Sequence, residues 1–74
     1  MSERLPQVSG RRAAQAFARV GWTIREEASH IILTKAGVRY NLSVPNHRSL
    51  KKGTLRSLIR KAGLTVEEFI RLLS

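Results

Sequence analysis

Apolar residues change their spacing twice along the chain, and the changes mark out its elements. Ala13, Ala16, Phe17 and Val20 fall at i, i+3, i+4 and i+7, one stripe of a helix. Arg11, Arg12, Gln15 and Arg19 take its wet side. Ser9 is placed to cap its start, and Gly21 to end it as the C′ residue. The period then drops to two. Trp22, Ile24 and Glu26 alternate with Thr23 and Arg25, and the run His30 to Lys35 is rich in β-branched residues. Val38, Tyr40, Leu42 and Val44 alternate with Arg39, Asn41 and Ser43, and Pro45 closes that strand. Helical spacing returns at Leu55, Leu58, Ile59 and Ala62, ended by Gly63. Thr65 with Glu68 forms a T-x-x-E capping box for a last short helix that presents Val66, Phe69, Ile70 and Leu73.

This order predicts an α+β domain, αβββα with an extra short C-terminal helix. Its three antiparallel strands have one face apolar and the helices lie on that face. Residues 1–8, with Pro6 and no apolar period, are expected to be a flexible lead-in to a single domain over 9–74. Phe17, Trp22, Tyr40 and Phe69 sit in the apolar stripes and are expected in the core.

Register decides which way His30 faces. If Ala36-Gly37 is a two-residue hairpin turn, Lys35 pairs with Val38, Leu33 with Tyr40 and Ile31 with Leu42. His30 then stands opposite Ser43 on the polar face, with Ile32 opposite Asn41 and Thr34 opposite Arg39. A one-residue bulge at Gly37 would turn His30 toward the core, but it would also leave Ile31 and Leu33 wet.

Charge adds a partner to this picture. Fourteen Lys and Arg stand against five Asp and Glu, a net charge of +9, and no acid occurs between Glu27 and Glu67. A field of one sign concentrates a polyanion, so nucleic acid is the leading partner, ahead of an acidic protein. A membrane surface fits less well, because no helix pairs a broad apolar face with basic flanks. With no cysteine there is neither a disulfide framework nor a thiolate metal site. With no signal peptide or spanning segment, a cytoplasmic protein is expected.

The chemistry these residues allow is narrow. Glu26 and Glu27 point to opposite faces of a strand, Glu67 and Glu68 lie on the last helix, and His30 and His47 are isolated in sequence, so no metal or other cofactor is expected. Metal-free RNA cleavage needs less, because the 2′-hydroxyl of the substrate is itself the nucleophile. The protein supplies a group that exchanges protons near neutral pH, which histidine does, and cations for the phosphate. His30 with Lys35, Arg39 and Lys52 makes a minimal set. A second proton-transfer group is open among a lysine, Tyr40, His47 and water.

The order Gly21-Trp22, Ser29-His30, Val44-Pro45-x-His47, then Lys52-Gly53-Thr54-Leu55-Arg56-Ser57 and Ala62-Gly63-Leu64 resembles the HicA family of toxins. The resemblance runs from about Leu5 to the C-terminus. It implies a fold like that of double-stranded RNA-binding domains and the toxin role in a HicA/HicB toxin–antitoxin module. The implied activity is that of an mRNA interferase, a metal-independent endoribonuclease that cuts mRNA and blocks translation. The implied partners are mRNA and a HicB-type antitoxin. The family's Gly-Ser-His motif falls on Ala28-Ser29-His30, which makes His30 the catalytic general acid/base and places an alanine where the family has glycine.

The candidate RNA-binding residues are Ser29, Lys35, Arg39, Lys51, Lys52, Gly53, Thr54, Arg56 and Arg60. Backbone N–H groups at Gly53-Thr54, backed by Lys51 and Lys52, suit a phosphate, although ordinary capping with Gly53 in a tight turn explains the same residues. Arg56 and Arg60 extend the track, and His47 is expected in a loop or against RNA. The competing function is a non-catalytic double-stranded RNA-binding module. It accounts for charge and element order equally well, but it does not require a histidine on the sheet face.

Overall fold

The computed structural model describes residues 4–74. Its elements are α1 (Gly10–Ala18), β1 (Thr23–Glu27), β2 (His30–Thr34), β3 (Leu42–Pro45), α2 (Lys52–Lys61) and α3 (Val66–Leu72). The strands form one antiparallel sheet in the order β1-β2-β3. α1 packs across all three strands, α2 against β3, and α3 against both other helices. This is the α+β, double-stranded-RNA-binding-domain-like αβββα arrangement with its extra helix.

Local chemistry starts and stops the helices where their residues suggest. The Ser9 hydroxyl accepts from the Arg12 N–H at 3.1 Å. At the other end Trp22 N–H bonds to Phe17 O and Gly21 N–H to Ala18 O, a Schellman closure with Gly21 at φ 102°. At α3 both halves of the Thr65–Glu68 capping box are made, at 2.8 and 3.1 Å.

Phe17, Ile31, Leu33, Leu42, Val44 and Phe69 are fully buried and form the centre of the core. The lead-in takes part in it. Leu5 and Val8 are buried, and Val8 O accepts the Leu50 N–H at 2.9 Å. Residues 1–3 of that segment lie outside the described residues.

The β2–β3 register differs from the expected one by two residues. Leu33 pairs with Leu42, Ile31 with Val44 and His30 with Pro45. The turn at Ala36-Gly37 does form, with Val38 N–H bonded to Lys35 O at 3.1 Å. Only its second central residue, Gly37, has a positive φ (82°), the signature of a type II turn. Such a turn splays its strands instead of matching their twist. Residues 38–41 therefore leave the ladder, and β3 begins at Leu42.

Tyr40 leaves with them. It is half-exposed, not core, with its ring 6.3 Å from that of Trp22 and its hydroxyl donating to Lys61 O at 2.9 Å. Trp22 itself is buried. A second irregularity, a bulge between Ile24 and Glu26, places Glu26 opposite Ile32 and Glu27 opposite Ile31. Glu26 thus faces the polar side of the sheet instead of following Ile24 toward the core.

Gly10 makes the tightest backbone approach of the five glycines. A Cβ there would overlap the Pro45 carbonyl oxygen, and the Gly10 N–H donates to His47 O at 2.9 Å. A backbone oxygen cannot move aside as a side-chain end can. Gly10→Ala is expected to destabilise the fold by about 1–3 kcal/mol through forced separation of α1 from β3. Urea unfolding of the pair of proteins measures this, and equal midpoints would show that the approach is not tight.

Candidate functional site

His30 opens β2 and is exposed on the polar face, while its neighbours Ile31 and Leu33 are buried on the other. Its turn is short. Ala28 N–H donates to His30 O at 3.1 Å, and Ser29 is exposed beside it. Opposite His30 stands Pro45, not Ser43. Ser43 pairs with Ile32 one step along and remains on the same face as a diagonal neighbour. Glu26 occupies the matching diagonal position on the β1 side, because it too pairs with Ile32. Nothing in the sequence marked Glu26 for this face, since the bulge that turns it has no glycine or proline to announce it.

Beyond Pro45 the chain runs into an exposed stretch with Asn46, His47 and Arg48. The Asn46 backbone N–H donates to Ser29 O at 3.0 Å, and its side-chain amide donates to Ala28 O at 2.9 Å. The Asn46–His47 segment therefore lies against the His30 turn on one side and against the start of α1 on the other.

Two of the expected cations lie elsewhere. Lys35 sits past the far end of β2, about 16 Å along the strand from His30 at strand rise. Its ammonium is 5.8 Å from the Trp22 ring centroid. Arg39 belongs to the 38–41 segment at that same end, and Thr34, its expected partner, pairs with Thr23 and accepts from Arg25 Nε at 3.0 Å. Lys35 and Arg39 thus leave the expected set around His30, and Tyr40 leaves the choice of second proton-transfer group. The type II turn takes Arg39 and Tyr40 off the ladder, whereas Lys35 lies five residues along the strand from His30 in either register.

Lys51, Lys52 and Gly53 are exposed at the start of α2, which begins at Lys52, one residue earlier than Gly53-Thr54. Lys51 makes no side-chain cap, and no acid lies in the first turn. Gly53 has no positive φ and open space where a Cβ would stand, so no tight turn requires it. Arg56 and Arg60 are exposed further along α2, bordering a shallow groove of about 140 Å³ with Ile59, Leu64 and Val66. Among the described residues no helix is long and apolar enough to cross a membrane.

The family model described as the HicA toxin of bacterial toxin–antitoxin systems matches residues 10–64. The chain belongs to the HicA toxin family. It is therefore the toxin of a toxin–antitoxin module, and a cognate antitoxin is the partner that membership implies. A search of curated proteins finds no match. The matched span of this HicA toxin contains the His30 turn and the whole of α2, and all of α3 follows it.

Proposed function

We propose that this HicA toxin is a metal-independent endoribonuclease that cuts mRNA, with His30 as its general acid/base. The observation that carries the reading is an exposed imidazole on the polar face of a sheet whose other face is core. A histidine there has no packing role, and histidine is the side-chain type suited to proton transfer at a 2′-hydroxyl. Attack of that hydroxyl on the adjacent phosphate forms a cyclic phosphate and releases the 5′-oxygen of the next nucleotide, which must gain a proton. One histidine cannot serve as base and acid in the same step. Glu26, diagonal to His30 on the polar face, and His47, two residues past Pro45, are the candidates for the complementary role, beside a lysine or water.

RNA is held by phosphate contacts. Lys51 and Lys52 beside the uncapped N–H groups of α2 make a phosphate cradle, which Gly53 leaves bare of side chain. Arg56 and Arg60 continue it, and Ser29 flanks His30. Lys35 and Arg39 serve a second stretch of backbone at the other end of the sheet. A HicB-type antitoxin binds over the His30 face and blocks access. The protein acts in the cytoplasm, where its substrate is.

The purified toxin incubated with a long mRNA in excess EDTA is expected to cut it, leaving 5′-hydroxyl ends. Binding at rising salt is expected to weaken steeply, each neutralised phosphate adding about 0.7–0.9 to the slope of log K against log salt. Intact RNA that still shifts in a gel would give the function to a non-catalytic double-stranded RNA-binding module.

A further inference from the structure

The turn before His30 keeps its shape without a left-handed residue. Among the described residues positive φ occurs only at Gly21, Gly37 and Gly63, so Ala28 stands in an ordinary backbone region where the family motif has glycine. Within the turn a single backbone bond, Ala28 N–H to His30 O, closes the loop. The carbonyls of Ala28 and Ser29 both end on one residue from another part of the chain. Asn46 gives its side-chain amide to Ala28 O at 2.9 Å and its backbone N–H to Ser29 O at 3.0 Å.

Most residues can make the second of these bonds. The first needs a donor on a short side chain at this one position, and Asn46 provides it. The segment that carries Asn46 is itself anchored, because the next residue's carbonyl accepts from Gly10 where no Cβ fits.

We propose that Asn46 is a positioning residue for His30, clamping the Ala28-Ser29 turn so that the imidazole is presented at a fixed place over the sheet face. The proposal rests on the reading of His30 as the proton-transfer group. Asn46 acts through the turn, not on the RNA. Proton transfer requires hydrogen-bond reach, and a displacement of about 1 Å is enough to lower a rate by up to about 10²-fold. Asn46 is exposed, so water replaces its amide at Ala28 O and the fold loses little. A loss of rate far larger than the loss of stability is the signature of positioning.

The experiment compares the full-length toxin with Asn46→Ala and Asn46→Asp. The aspartate has the same size but no side-chain N–H to give, and it sets a carboxylate against the Ala28 carbonyl. In single-turnover cleavage of one RNA in EDTA, both variants are expected to cut about tenfold or more slowly at saturating enzyme. Their half-saturating concentrations should stay within about twofold of the parent, and their unfolding midpoints within about 10 °C. The His30 ring signals in proton NMR are expected to shift or broaden in both.

Cleavage at the parent rate overturns the proposal. So does a defect confined to half-saturation, which marks an RNA contact, or a midpoint fall well beyond that range, which marks a structural role. If the parent itself leaves RNA intact, the ribonuclease reading fails on its own, and the clamp is judged by the ring signals. Unchanged signals then overturn it, and altered ones keep it as a device that holds the turn.

Discussion

Replacing His30 with alanine is expected to slow RNA cleavage by about 10²–10⁴-fold while leaving RNA binding almost intact. Both halves follow from its position. The imidazole is exposed at the first residue of β2, and its removal opens no cavity because the core lies on the opposite face with Ile31 and Leu33. The lysines and arginines proposed to hold phosphates are on another element, Lys51 and Lys52 at the start of α2 and Arg56 and Arg60 along it. Affinity supplied by those charges should survive, along with its salt dependence. Cleavage and gel-shift assays on the same preparation measure the two effects. A variant that cuts at the parent rate removes His30 from the chemistry. One that no longer binds makes it an RNA-contact residue.

Phe69→Ala is expected to cost about 3–5 kcal/mol of stability, the range for emptying a buried aromatic site. Phe69 is fully buried on α3, with its ring centroid 5.3 Å from that of Phe17 on α1. The C-terminal carbonyls of the same helix are held by α1. Arg12 donates to Leu73 O at 3.0 Å, and Arg19 donates to Leu72 O and Ser74 O at 2.9 and 2.8 Å. Exposed hydrogen bonds of this kind fix the angle of α3, but the apolar contact supplies most of the energy.

A chain of 74 residues buries only about 60% of its unfolded surface and has a total stability of roughly 4–11 kcal/mol at typical values per residue. The single substitution therefore removes a large share of it. Thermal unfolding by circular dichroism should show a midpoint lower by more than about 12 °C. A change of only a few degrees would mean that α3 is not integral to the core, in keeping with a family match that ends at residue 64.

Much of the site was legible from residue spacing. The face of His30 followed from the alternation of β2 once Ile31 and Leu33 were kept on the core side. The register moved by two residues when the type II turn released 38–41, and a shift of two returns every side chain to its own face. A shift of one would have reversed them. The helix ends were also readable, because Ser9, Gly21, Thr65 and Gly63 act through their own backbone and near neighbours.

The neighbours of His30 were not readable in this way. Arg39 was expected on the ladder opposite Thr34, but the type of a turn depends on which central residue takes positive φ, and Ala36-Gly37 admits more than one type. Glu26 reached the polar face through a bulge without a sequence mark. Asn46 reached the turn before His30 through a contact 18 positions away in the chain.

By itself the sequence determined the element order, the apolar faces, the basic field and the family. Those properties depend on local periodicity, capping and composition, which the order of residues states directly. Tertiary structure alone decided which polar groups surround His30 and what holds its turn. Those contacts are set by turn type, bulge and the approach of α1 to β3 at Gly10, where a few ångströms of backbone geometry select the neighbours.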